Sequence, residues 1–422
     1  MTKIITPKQA SQLLKPGSIT FIQGGIGEPK VLLDALLAVP SAGDSVNFFS
    51  VMLPGINHYT PTKFHENATF NTFFVFDGLI ESFQSGRTRF LPLHYSEIIP
   101  FIDQLPTIDT VLIQTSIPDD NGMCNLGPTV DFVPALLKRA KIVIAEINKK
   151  MPIAVGGTAI SYSSIDYAVK ANHMLPDAGT YTTSIDVDSI ATHVSQLIDD
   201  GDTLQFGIGN IPNAVLGKLE NHRHLGIHSG MITGAVEILI KNRVFTSEQK
   251  TIDTGAHITG FALGSNEFYQ WAANCAKMQF RPVSYTHDIR VLAALENFVS
   301  INSAVQVDLL GQVNVEMLNG KQISGTGGAL DFVRGARLSK NGRSIIALPA
   351  TAAKGTRSRI ILRLDKKAVI SVPRTDVDYV VTEYGAVRLA HKSTEERAIA
   401  LISIAAPQFR AELFDQLNQY LS

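Results

Sequence analysis

The stretch Gly201-Asp202-Thr203-Leu204-Gln205-Phe206-Gly207-Ile208-Gly209-Asn210-Ile211-Pro212 decides the fold. A short apolar run ends at a Gly-x-Gly turn, proline stands where a first helical turn begins, and Ala214-Val215-Leu216 continues as an apolar helix face. Glycine lets the backbone bend sharply and bare its N–H groups, and proline is tolerated there because its missing N–H has no partner at a helix start. The chain writes the same pattern earlier. Gly17-Ser18-Ile19-Thr20-Phe21-Ile22-Gln23 runs into Gly24-Gly25-Ile26-Gly27-Glu28-Pro29, followed by Val31-Leu32-Leu33. Such a turn suits an anionic or phosphate-bearing group held at a helix N-terminus. Its recurrence predicts two related α/β halves facing each other.

Outward from the two turns, strand-like runs alternate with helix-length segments. Val46-Asn47-Phe48-Phe49-Ser50-Val51, Thr110-Val111-Leu112-Ile113-Gln114-Thr115 and Lys141-Ile142-Val143-Ile144-Ala145-Glu146-Ile147 are such runs. This alternation predicts α/β layering with much parallel sheet. Pro176-Asp177-Ala178-Gly179 breaks the pattern, and an amphipathic helix follows from Ile185 to Leu197, with Ile190, Val194 and Leu197 at helical spacing. The expected boundary therefore lies within 175–187, giving domains 1–183 and 184–422. A closing helix is expected from Ala406-Pro407, with Phe409, Leu413, Leu417 and Leu421 on one face.

At 422 residues the chain is long enough for two or three domains with large cores. A formal net charge of −1 argues against nucleic acid as a partner, which needs a clustered basic excess. Cys124 and Cys275 are the only cysteines, too few for a disulfide framework or a multi-cysteine metal site, and they fit a reducing compartment. His222 and His224 are two residues apart without a suitable ligand set around them, so no metal is expected. No apolar run approaches the ~20 residues that span a bilayer, and Met1-Thr2-Lys3-Ile4-Ile5-Thr6-Pro7 lacks a basic segment before an apolar signal core. A cytoplasmic protein with no membrane partner is the expectation.

Two nucleotide motifs fail at the glycine turns. A dinucleotide fingerprint needs a third glycine for close helix–strand packing, and Pro29 and Pro212 stand near that place. A P-loop needs Gly-Lys-Ser/Thr, which follows neither turn. Further segments narrow the ligand: Ser300 to Asp308, Gly311-Gln312-Val313, Ser324-Gly325-Thr326-Gly327-Gly328, Ala353-Lys354-Gly355, and Arg374 through Thr382-Glu383-Tyr384-Gly385. With Gly27-Glu28-Pro29, Met52-Leu53-Pro54, Pro118 through Gly127, and Glu146-Ile147-Asn148-Lys149-Lys150-Met151-Pro152, they cover nearly the whole chain.

On these segments the chain resembles the acetyl-CoA hydrolase/transferase family, which includes 4-hydroxybutyrate and related acyl-CoA transferases of class I. The resemblance implies two related open α/β domains with an active-site cleft between them, acting on an acyl-CoA and a small carboxylic acid. It implies a homodimer and no tightly bound cofactor, coenzyme A being part of the substrate. By the same resemblance Gly207, Ile208 and Gly209 form the CoA-binding turn, and Gly328 and Lys354 match positions that also contact CoA. Glycine amides can approach pantetheine or phosphate closely, and a lysine offers a point charge to a phosphate.

The resemblance fails around residue 230. In the family a glutamate attacks the thioester and becomes a glutamyl-CoA intermediate, a case of covalent catalysis by a carboxylate. Here its segment reads Gly226-Ile227-His228-Ser229-Gly230-Met231, so Gly230 stands at the nucleophile position and cannot act itself. The family's following Asp-Gly pair is Gly234-Ala235 here. Glu237 lies seven residues on, roughly 10 Å if the segment is helical, and is expected on an exposed helix face. Glu28, on the N-terminal turn, is a better substitute carboxylate. His228 and Glu146 are candidate general bases, His228 competing with a satisfied strand histidine and Glu146 with a structural or substrate-orienting role. Two functions remain open at this point. One is an enzyme that transfers CoA between carboxylic acids or hydrolyses the thioester by an altered mechanism. The other is a catalytically silent CoA-binding protein, a sensor or a non-catalytic subunit.

Overall fold

The computed structural model describes residues 1–39, 41–179 and 184–421. The chain divides into two compact units, Met1–Gly179 with Ile258–Thr286, and Thr180–His257 with His287–Ser422. The expected boundary after residue 183 falls outside the described residues.

Eight parallel strands form the sheet of the first unit. Their spatial order is Lys3–Ile4, Tyr167–Ala171, Ala140–Asn148, Ile108–Thr115, Ile19–Ile22, Asn47–Ser50, Thr69–Thr72 and Thr88–Phe90. Strands buried on both faces read as continuous apolar runs, which is why Ile108–Thr115 and Ala140–Asn148 lack a clean alternation. Ile22, Phe48, Phe70 and Leu112 pack with Leu32, Leu33 and Leu36 of the helix Lys30–Ala38 into the core on one face. The segment Ile258–Thr286 joins this unit from far along the chain. Val130 donates its N–H to the Gly260 carbonyl at 3.1 Å, Ala262 to Pro128 at 2.9 Å, Val155 to Ala273 at 2.9 Å and Phe280 to Gly156 at 2.9 Å.

In the second unit, Gly226–Thr233, Thr203–Phe206, Phe298–Ser303, Arg343–Ala347 and Tyr379–Thr382 run parallel in that spatial order. Gly385–Arg388 returns antiparallel as a hairpin on Tyr379–Thr382. Leu330 and Val333 of the helix Ala329–Leu338 pack with Ile346, Val380, Leu401 of Thr394–Ser403, and Leu413 and Leu417 of Pro407–Leu421. The helix expected from Ile185 is Ile185–Ser195, with the Ser184 hydroxyl accepting from the Val187 N–H and Ile190 and Val194 buried.

Both glycine turns therefore follow a strand that has a parallel neighbour on each side, and the α/β architecture expected from the repeat is present. The turns differ in detail. After Ile22 the chain makes a 3-10 turn, Gly25–Gly27, and Pro29 stands just before the helix Lys30–Ala38. After Phe206, Gly209 leads straight into the helix Asn210–Leu216 with φ +130°, a conformation that L side chains rarely adopt, and Pro212 lies within the first turn. No described helix is long and apolar enough to cross a membrane.

Candidate functional site

Register brings Gly230 beside the second glycine turn. Thr203 and Leu204 pair with Gly226 and Ile227, and two residues further the Ser229 hydroxyl takes over from the backbone. It accepts the Phe206 N–H and donates to the Phe206 carbonyl, both at 3.3 Å. The turn at Gly207 follows at once. Its own glycine is needed for space, because a Cβ there would stand 2.8 Å from Oδ1 of Asn302, which is held in turn by Gln205. Ile208 at the tip is half exposed, and all eight residues of Gly226–Thr233 are buried.

What stands in front of Gly230 is His287. A Cβ at residue 230 would lie 2.8 Å from Cε1 and 3.0 Å from Nε2 of the imidazole, and 3.5 Å from Cζ of Phe332. A Cβ at Gly328 would meet the same ring at 2.5 Å from both Cδ2 and Nε2. The ring lies against Phe332 with centroids 4.5 Å apart and is 5% exposed. Burial pushes its pKa down to about 3, so the imidazole is uncharged at neutral pH. Gly230, Gly328 and, through Ser229 and Phe206, the Gly207 turn are thus brought together in one unit.

The other expected residues of this unit are one strand neighbour of Gly230 and two residues set on other elements. His228 is fully buried on the same strand face as Gly230, its ring edge-on to Phe298 at 6.3 Å. Glu237 sits on the helix Ala235–Lys241 and pairs with Lys241 at 2.5 Å. Because residues 226–233 are strand, the helical spacing assumed for Glu237 does not apply, though its helix-face role does. Lys354 occupies the exposed tip of a hairpin between Thr351–Ala352 and Arg357–Ser358. Ala353, Lys354 and Gly355 have φ of 50°, 57° and 86°, three successive left-handed residues. The two that carry a Cβ are strained by about 1 kcal/mol each in that region, which fixes the shape of the tip from which the lysine projects.

Glu28 belongs to the first unit and is 7% exposed. Burial raises its pKa to about 8, with the Glu146 charge adding to the rise and the Asn57 amide and His58 backbone N–H opposing it. It holds its proton at neutral pH. Asn57 is itself fixed by accepting from the Leu53 and Gly25 N–H groups at 2.8 and 3.1 Å. Glu146, fully buried, does something else. One oxygen accepts the Val31 and Leu32 N–H groups at 2.7 and 3.3 Å, and the other bonds Nε2 of His173, whose pKa this contact raises. Pro29 offers the helix Lys30–Ala38 no side-chain cap, so a carboxylate from a distant strand supplies one.

Sequence reasoning missed His287 and His173. Both are single histidines outside any motif, and His287, in Tyr285-Thr286-His287-Asp288, carries no spacing signal toward Gly230 or Gly328.

Parallel α/β sheets with a glycine turn after an inner strand of each unit define the class of scaffold to which this chain belongs. Residues 1–177 match the acetyl-CoA hydrolase/transferase N-terminal domain and residues 264–417 the acetyl-CoA hydrolase/transferase C-terminal domain; the chain belongs to this family. It is 38% identical to the 4-hydroxybutyrate coenzyme A transferase of Clostridium kluyveri over 418 residues, 99% of this chain and 97% of that protein. Among solved structures it is similar to RipA from Yersinia pestis, with TM-score 0.91 and 33% identity over 99% of this chain and 97% of that one. It is also similar to a 4-hydroxybutyrate CoA-transferase from Porphyromonas gingivalis, with TM-score 0.82 and 30% identity over 99% and 98%. The family expectation from the sequence is met.

Proposed function

We propose that this chain binds an acyl-CoA thioester at Gly207–Gly209 with Gly328 and Lys354, and turns it over without a glutamyl-CoA adduct. The observation that carries this reading is Gly230: a residue without a side chain, inside a fully buried strand, beside the glycine turn. With no carboxylate at that position, a ping-pong exchange of CoA between acids has no covalent carrier there. Hydrolysis needs none. Water adds to the thioester carbonyl, the C–S bond breaks, and the CoA thiolate takes a proton as the free acid forms.

A second reading, binding without turnover, is favoured by His287 and Phe332 lying over Gly230. Thiol release from acetyl-CoA and butyryl-CoA, measured with and without added carboxylic acids, separates the two. Release without acceptor supports hydrolysis. Binding of CoA with no release supports the silent reading, and acceptor-dependent exchange with a covalent enzyme intermediate overturns both.

A further inference from the structure

Gly230 lies on a strand and Gly328 immediately precedes the helix Ala329–Leu338, yet one imidazole fills the space in front of both. Neither glycine is needed for its backbone conformation: Gly328 has φ −91°, and neither lies in the left-handed region. They are needed for room. Packed carbon atoms sit about 3.5–4.0 Å apart, whereas a Cβ would come within 2.8 Å of the ring at residue 230 and 2.5 Å at residue 328. The ring has little freedom to retreat, since it packs on Phe332, itself 3% exposed and part of a cluster with Leu292, Leu295, Phe298 and Ala336.

We propose that Gly230 and His287 are one exchange: the imidazole of His287 occupies the volume that a side chain at residue 230 needs, so a ring stands where the family's carboxylate would. The steric part rests on the contacts alone; its meaning for chemistry rests on the acyl-CoA reading above. His287 thereby decides the reaction. While it is in place, a glutamate installed at residue 230 has neither the room to lie along the strand face nor a positive charge to meet it, since burial keeps the ring uncharged. Removing the ring opens the space. The carboxylate introduced by Gly230→Glu could then attack the thioester carbonyl; the C–S bond breaks and the CoA thiolate leaves an acyl-glutamyl anhydride. Attack of that thiolate on the glutamyl carbonyl breaks the C–O bond, releases the free carboxylate and leaves glutamyl-CoA.

Four proteins test this: wild type, Gly230→Glu, His287→Ala and the double variant, each melted and each incubated with acetyl-CoA and butyryl-CoA before borohydride trapping. Gly230→Glu overpacks the ring and should lower Tm by about 3 °C or more, with no adduct. His287→Ala leaves a cavity and should also lower Tm. The double variant should melt above both single variants and yield a borohydride-reducible adduct. A double variant whose Tm loss is the sum of the single losses overturns the exchange, as does Gly230→Glu that melts like wild type. Coupled melting without an adduct supports the exchange and counts against the acyl-CoA reading instead. If Gly230→Glu does not fold, Gly230→Ala with and without His287→Ala poses the same question: additive losses overturn the proposal, and rescue of Gly230→Ala by His287→Ala supports it.

Discussion

Two buried titratable groups, Glu28 and His287, give the native state opposite responses to pH. Glu28 has its pKa raised from 4.5 to about 8, so between those values the native state keeps a proton that the unfolded chain releases. Its contribution is fully present below pH 4.5 and is lost as pH rises through about 8. A Glu28→Gln variant, neutral at all pH, should therefore gain stability relative to wild type between about pH 5 and 8.5 in urea melts. A constant difference across that range would contradict the buried, protonated carboxyl. For His287 the folded pKa falls from 6.5 to about 3, and the native state binds fewer protons than the unfolded chain. Its contribution is present above pH 6.5 and is lost as pH falls toward 3. His287→Gln should flatten the acid limb of the stability profile below pH 6.5, and an unchanged limb would mean the ring is already solvated. These residues differ in how far the sequence exposes them. Gly230 stands out in the sequence because the residues around it resemble a family segment, whereas nothing local to His287 records that the ring reaches two glycines dozens of positions away.

At the scale of elements, the clearest dependence is that of the helix Lys30–Ala38 on Glu146. Breaking a buried ionic contact while leaving N–H groups unpaired costs about 3 kcal/mol or more. Glu146→Ala should lose that much in a denaturant titration, and Glu146→Gln, which keeps an acceptor, distinctly less. Equal losses would show that Val31 and Leu32 do not depend on the carboxylate. The hairpin carrying Lys354 makes the converse prediction, a functional loss without a structural one. Lys354→Ala should weaken CoA binding about tenfold in calorimetry with Tm unchanged, because the lysine is exposed at a tip whose shape is set by its backbone. The strands themselves are legible in the sequence: Thr110–Thr115 and Lys141–Ile147 emerge as Ile108–Thr115 and Ala140–Asn148 because both faces of a parallel sheet demand apolar residues. The return of Ile258–Thr286 to the first unit is not legible. It is made by backbone hydrogen bonds between segments far apart in the chain, which leave no periodic trace in side-chain pattern.

For the molecule as a whole, family membership supports acyl-CoA chemistry on this scaffold, and the departure proposed at Gly230 lies in the second unit. Ser229 and Phe206 tie the strand of Gly230 to the glycine turn, so the architecture proposed to present a thioester is in place while residue 230 offers no side chain to attack it. The chain is proposed to handle acyl-CoA with no covalent intermediate on a carboxylate. Intact-protein mass spectrometry of the wild-type chain after incubation with acetyl-CoA and butyryl-CoA and borohydride reduction tests it most directly, with the double variant Gly230→Glu, His287→Ala run alongside. An unchanged wild-type mass is expected under conditions in which the double variant is modified. A wild-type mass shift matching a reduced glutamyl thioester, mapped to Glu28 or any other carboxylate, would contradict it.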